Sequence, residues 1–435
     1  MRKLRESLSW YILLGLTQTD VPQRVFPFSQ RITAKKNWSN SRREEVCHLW
    51  KSYMKILLAT PLYPPEIGGP ATYTIELTER LHREHEITIV AYASTSVHVE
   101  GARLVTVSKK RPLPVRILKY TWVMWRESRG KDIIYAQNAV AAGFPSVIVG
   151  LLRRIPVIIK FVGDEPWEKA TQQKLTTKQL EEFLANPDPV SLYIRFIRLI
   201  QTWTLLRAQI VTTPSQYLRD AIVRAYHIAP EHALVNYNAT ETADKLPFEG
   251  TVQKHQIVTT ARLVEWKGID GIIRAVALLT PRFPDIRLLV AGDGPDEEKL
   301  KKLTQELAVE KHVEFLGRVS RAETWHIRKT SEVYVLNSHY EGLPHTVLTS
   351  FSAGIPTIAT DIPGTNEAVI HVSTGLLVPV ANDEALAEAI ARLLGDEKLR
   401  ASLVTGGERI IKEKFSWDAH LALLKKIFEQ LTAKK

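Results

Sequence analysis

From residue 54 onward, short apolar runs alternate with stretches whose apolar positions recur every three or four residues. The first spacing predicts buried strands and the second amphipathic helices. The predicted strands are 55–60, 87–93, 132–137, 156–163 and 209–215, with helices over 72–84 and 191–208. A polar interval, NYNATETADKLPFEG at 236–250, breaks the rhythm and reads as a linker. Strand runs then resume at 257–263, 286–292, 313–317, 333–338 and 356–361. Strands alternating with helices imply parallel sheets covered on both faces. The expected organisation is α/β, with domains at 54–235 and 253–412 joined by a linker at 236–252 and separated by a cleft. Ligands of open α/β sheets gather beyond the carboxyl ends of the strands, where the polar motifs of this chain fall.

Composition narrows this only slightly. The 435 residues are 45% hydrophobic and 24% charged, the balance of a soluble globular chain. Cys47 is the sole cysteine, which excludes internal disulfides and thiolate clusters and suits a reducing, cytoplasmic compartment. Of the +11 net charge, residues 1–53 carry +6, from ten basic and four acidic residues. A basic tail or a membrane-facing patch explains that excess without nucleic acid. LSWYILLGL (8–16) follows a basic start, as in a signal peptide, but has no small-x-small cleavage site. It also falls short of the roughly 20 apolar residues that span a bilayer. Because Met54 opens the first strand, 1–53 is expected to be a disordered basic extension or a mis-called start, with a membrane-contact arm as the alternative.

Four motifs carry candidate chemistry. PLYPPEIGGPATYT (61–74) places Gly68 and Gly69 between a strand and a helix, where backbone can approach an anion or simply make a βα turn. ARLVEWKG (261–268) supplies Arg262 and Lys267 at a strand end, a pairing suited to phosphate. AGDGPDEE (291–298) superficially matches a dinucleotide fingerprint. Its acidic residues repel a pyrophosphate, so it reads as a tight turn before a helix. EGLPHTVLTSFSAGIP (341–356) has Pro344 at a helix start and Gly354 at its stop, with N–H groups near His345 and Thr346 placed for a phosphate.

Taken together, GGP, RLVEWKG, GDGP, FLGRV and EG-x-P ahead of AGIP resemble a family 4 glycosyltransferase with the GT-B fold, over about 54–420. The resemblance implies two Rossmann-like domains and a nucleotide-sugar donor, with transfer to a glycan or lipid-linked acceptor and retention of configuration. It implies no cofactor or metal, and the chain has no Asp-x-Asp pair. Arg262 and Lys267 would grip the diphosphate, and Gly68 and Gly69 would close over it. Arg318 and Val319 would lie against the base, Glu341 and Gly342 would contact the sugar, and Leu343, Pro344, His345 and Thr346 would complete the phosphate cradle. The final stretch, 413–435, would cross back to the first domain. A nucleotide-sugar binder of the same fold and a sugar-nucleotide epimerase remain open alternatives.

Two further expectations concern the acceptor and the donor ribose. Asp164, with Trp167 and Glu168 in KFVGDEPWE, is a candidate to orient an acceptor hydroxyl, or a helix cap. The basic-aromatic stretch 111–131 suits peripheral contact with the inner membrane face, or one buried helix face. In the family, the carboxylate eight residues after the first holds the donor ribose. Thr349 stands there, and the next carboxylate is Asp361. The expectation is weakened ribose recognition, with Thr349→Glu tightening donor binding.

Overall fold

The computed structural model describes residues 53–433 except 67, 94–96, 187–189, 242–247 and 249. The extension at 1–52, with Cys47, therefore lies outside the described residues.

In the first domain, β1 (Lys55–Thr60), α1 (Gly69–Leu81), β2 (Glu86–Tyr92), β3 (Ala102–Val107), α2 (Leu113–Glu127) and β4 (Ile133–Ala136) follow in order. Next come α3 (Gly143–Arg153), β5 (Val157–Lys160), α4 (Glu165–Gln172), α5 (Leu180–Ala185) and α6 (Leu192–Arg207). β6 (Ile210–Thr213), α7 (Gln216–Tyr226) and β7 (Ala233–Val235) complete it. The second domain opens with β8 (Gln256–Thr260), α8 (Ile269–Leu279), β9 (Arg287–Ala291), α9 (Glu297–Glu306) and β10 (Val313–Gly317). It continues through α10 (Arg321–Lys329), β11 (Val333–Leu336), α11 (His345–Ser352), β12 (Thr357–Thr360) and β13 (Leu376–Val378). The last three helices are α12 (Asp383–Gly395), α13 (Glu397–Glu413) and α14 (Trp417–Thr432).

Both sheets are parallel, in the orders β3-β2-β1-β4-β5-β6-β7 and β10-β9-β8-β11-β12-β13. Near-continuous burial of the central strands matches sheets covered on both faces. This is the expected α/β fold of two Rossmann-like domains. Strand order reverses between β1 and β4 and again between β8 and β11, and ligands bind at such switch points. The loops leaving β1, β8 and β11 are the GGP, RLVEWKG and EG-x-P segments. On one face of the first sheet, Trp417, Leu424, Ile427 and Phe428 of α14 pack with Met54, Ile56 and Leu58, so the chain ends against the domain in which the described residues begin.

Candidate active site between the two domains

The carboxyl ends of the two sheets meet at the Tyr340–Gly342 loop. A Cβ on Gly342 would lie 2.7 Å from Leu218 Cδ1 and 3.3 Å from the Val162 carbonyl, so a larger residue here would have to push the two domains' side chains and backbone aside. Tyr340 inserts against Trp167, 4.4 Å between ring centroids, and near Tyr217 at 6.5 Å. Glu367, from the second domain, accepts hydrogen bonds from the Gln216 and Tyr217 N–H groups at 2.9 and 2.8 Å. It thereby caps α7 of the first domain, and Arg321 adds an ion pair to Glu76 at 2.7 Å.

On the donor side, Lys267 Nζ donates to Glu341 Oε1 at 2.5 Å, and Ser338 Oγ donates to the same oxygen at 2.8 Å. Asn337 Nδ2 donates to the Gly268 carbonyl at 2.9 Å, tying the two loops together. Gly268 sits at φ 60, and a Cβ there would come within 2.1 Å of the Asn337 carbonyl. Arg262 is exposed and has no ion-pair partner among the described residues. The GDGP glycines serve this loop. Side chains at Gly292 or Gly294 would collide with the backbone of Ala261 or Leu263, at 1.8 and 2.2 Å. Asp293 in that turn holds Arg318 at 2.8 Å, and Val319 follows half-buried.

Helix α11 begins without a side-chain cap, and the N–H groups of His345 and Thr346 have no acceptor among the described residues. Leu343 and Pro344 are buried behind them. His345 opens on the cleft but is crowded by protein. Desolvation first, then the positive Arg328, Arg321 and Lys160, hold its imidazole well below the usual pKa. Its Nε2 lies 3.2 Å from the Ala239 carbonyl, so neutral imidazole donates there. Arg262, the Lys267–Glu341 pair and the open helix start thus occupy neighbouring loops at one switch point.

Several sequence expectations change in detail. Gly69 has open space around its Cβ position, but Gly68 is packed against Leu62, which a Cβ would meet at 2.4 Å. Asp164 is buried and points inward. It caps α4 by accepting from Trp167 N–H at 2.9 Å, accepts from Gln201 Nε2 at 2.7 Å, and accepts from the Tyr226 hydroxyl. With its lone pairs so occupied, it serves as a helix cap and does not reach an acceptor. Glu168, one helical turn on, lies exposed over Gly163, and burial of its surroundings followed by repulsion from Asp164 and Glu165 pushes its pKa up to about 7. Thr349 is also turned inward. Its hydroxyl accepts from Arg328 Nη1 at 2.5 Å and lies within donating distance of the His345 and Thr346 carbonyls, at 3.1 and 3.0 Å. Arg328 is only 4% exposed, also donates to Thr260, and has no carboxylate partner among the described residues. Its Nε has no acceptor among the described residues. A buried guanidinium thus holds the residue at which the resemblance leads one to expect a second carboxylate.

The model for Glycosyltransferase Family 4 matches residues 67–244, and that for Glycosyl transferases group 1 matches 244–409. Together with the two facing parallel-sheet domains, these matches place the chain among the GT-B glycosyltransferases. An uncharacterized glycosyltransferase of Methanocaldococcus jannaschii is 24% identical over 84% of this chain and 95% of its own length. The lipopolysaccharide core biosynthesis glycosyltransferase LpsD of Rhizobium meliloti is 34% identical over 41% of this chain, and the match spans half of that relative. The crystal structure of Anabaena HepE in complex with UDP superposes with a TM-score of 0.68 at 18% identity, covering 87% of this chain and all of that one.

Proposed function

We propose that the protein transfers a sugar from a nucleoside-diphosphate sugar to a hydroxyl of a glycan or lipid-linked acceptor, with retention of configuration and without a metal. The observation that carries this reading is the convergence of exposed Arg262, which has no ion-pair partner among the described residues, the Lys267–Glu341 pair and the uncapped start of α11. A diphosphate fits that set: the helix start favours an anion, and Arg262 offers a planar fork of donors. A phosphate arriving beside Lys267 competes with Glu341 for the ammonium. The Glu341 carboxylate is then free to accept from sugar hydroxyls.

In the transfer itself, the acceptor oxygen bonds to the anomeric carbon as the bond from that carbon to the phosphate oxygen breaks. The acceptor proton passes to the departing phosphate on the same face. Charge building on that phosphate is stabilised by Arg262, Lys267 and the α11 N–H groups, fixed donors that require little reorganisation. Glu168 is the acceptor-side carboxylate and accepts from a neighbouring hydroxyl of the acceptor, which orients the attacking one. HepE, solved with UDP, supports a nucleoside-diphosphate donor, and LpsD supports a lipid-linked or glycan acceptor. Such a reaction suits the cytoplasm or the inner membrane face, where nucleotide sugars and lipid-linked acceptors meet.

The test is release of nucleoside diphosphate from a panel of UDP-, GDP- and ADP-sugars, with and without extracts of lipid-linked saccharides. Release that requires acceptor supports the transferase. Binding without release would leave a nucleotide-sugar binder, and epimerisation without acceptor would indicate the epimerase.

A further inference from the structure

We infer that helices α2, α3 and α6 of the first domain form one docking surface for an anionic lipid bilayer, wider than the single stretch 111–131. It goes with the proposed lipid-linked acceptor, but the evidence for it is separate. Of the 21 large hydrophobic residues exposed among the described ones, 12 lie on these three helices. On α2, Val115, Leu118, Trp122 and Trp125 recur at three- and four-residue spacing and are 40–71% exposed. On α6, Leu192, Phe196, Leu199 and Leu206 form a second stripe, 51–80% exposed. Between them, Leu151 and Leu152 at the end of α3 are 45% and 68% exposed. Stripes at this spacing normally face a core. Here the opposite faces of the same helices already do so, through Tyr120, Val123 and Met124 on α2 and Ile194 and Leu205 on α6.

The three stripes form one surface. The Arg153 guanidinium on α3 sits 3.8 Å from the centroid of Trp125 on α2. Phe144 on α3 meets Trp203 on α6 edge-on at 5.5 Å. Charge identifies the occupant. Lys119, Arg126, Arg154, Arg195 and Arg207 are exposed on or directly beside these helices, whose only acidic residue, Glu127, is buried and paired with Arg126 and Arg103. Exposed Trp, Phe and Leu interleaved with Lys and Arg, and free of exposed carboxylates, match the interfacial zone of an anionic membrane. There the rings enter the headgroup layer and the cations meet lipid phosphates. No helix among the described residues is long and apolar enough to cross a membrane, so the contact is peripheral.

The test is co-sedimentation of the full-length protein with vesicles of phosphatidylcholine alone or with 30% phosphatidylglycerol added. Binding is expected only to the anionic vesicles, falling as salt rises. Neutralising surface cations reads the charge: Lys119→Gln, Arg195→Gln and Arg207→Gln together should weaken binding about 100-fold, near 5-fold per cation. The apolar anchor is read by Leu118→Ser with Leu199→Ser, which should abolish binding. Because all five positions are exposed, these variants should keep the wild-type melting temperature and nucleotide affinity, which separates this proposal from the transferase reading. Equal binding to neutral vesicles, or none to either, would overturn it. So would unchanged binding by both sets of variants, which would place any membrane contact elsewhere, such as residues 1–53. A wild-type dimer dispersed by Leu118→Ser with Leu199→Ser would give the face to a second copy and overturn it as well.

Discussion

Thr349→Glu separates what the sequence suggests from what the structure shows. Resemblance alone assigns position 349 to the donor ribose, so a carboxylate there would tighten nucleotide binding. In the structure, Arg328 reaches this position first, at 2.5 Å and 4% exposed, with no carboxylate partner among the described residues. Its existing hydrogen bonds are to neutral hydroxyls, which offset burial of a cation poorly. A charge-assisted bond contributes about 1.5–3 kcal/mol, against about 1 for a neutral one, so the substitution should stabilise the domain by about 0.5–2 kcal/mol. That corresponds to a rise of about 1–8 °C in melting temperature for a domain of this size. With the new carboxylate held by Arg328, nucleotide affinity should change by less than about 5-fold, the equivalent of 1 kcal/mol. Thr349→Glu combined with Arg328→Met should release the carboxylate, lose the stability gain and bind nucleotide more tightly. Differential scanning fluorimetry with isothermal titration on the single and double variants measures both effects. Tenfold tighter nucleotide binding by Thr349→Glu alone, without stabilisation, would refute the reasoning and restore the ribose assignment.

Outcomes for three further variants follow from the geometry. Glu168→Gln should flatten the rise in transfer rate expected through about pH 7, because the ionised carboxylate holds a neighbouring acceptor hydroxyl more strongly than the protonated one. The same raised pKa makes ionisation unfavourable in the folded state, so between pH 4.5 and 7 the wild type should lose stability relative to the variant, followed by melting curves across that range. Lys160 is 5% exposed, over Tyr73 at 4.1 Å and bonded to Asn238 at 3.0 Å, and desolvation pushes its pKa down to about 7 from 10.5. The unfolded chain then binds the extra proton, so stability should rise between pH 7 and 10.5 by on the order of 1 kcal/mol per unit, and Lys160→Met should abolish that slope in denaturant titrations. Glu367→Ala removes the cap that one domain places on a helix of the other. It should cost about 1 kcal/mol and enlarge the radius of gyration by small-angle scattering, whereas an unchanged radius would show that this contact does not hold the cleft.

The central strands were legible because burial on both faces makes them continuous apolar runs, and the predicted runs fall on β1, β2, β4–β6 and β8–β12. The sequence expectations omitted β3, β7 and β13. All three are edge strands, and two have only three residues, too short for a pattern to register. Helix α1 starts at Gly69, before the expected 72, because Pro70 is tolerated in a first turn that lacks hydrogen bonds. At the site, Arg262, Lys267 and Glu341 could be read because strand-end position and residue chemistry point the same way. Asp164 and Glu168 could not be told apart, since both are acidic and stand at the same helix start. Only the inward partners Gln201 and Tyr226, distant in sequence, show which carboxylate is occupied. Arg328 drew no attention because nothing in a helical run of charged residues shows which one is buried.

The central claim is that the loops following β8 and β11 hold the diphosphate of the donor. Isothermal titration of the tightest-binding nucleoside diphosphate against wild type and Arg262→Ala tests it directly. Arg262 is exposed and has no ion-pair partner among the described residues, so its truncation should leave the fold intact. Loss of a charged hydrogen-bonding partner should weaken binding by about 1.5–3 kcal/mol, or roughly 10- to 150-fold. Equal affinity in the two proteins would place the diphosphate elsewhere and contradict the account.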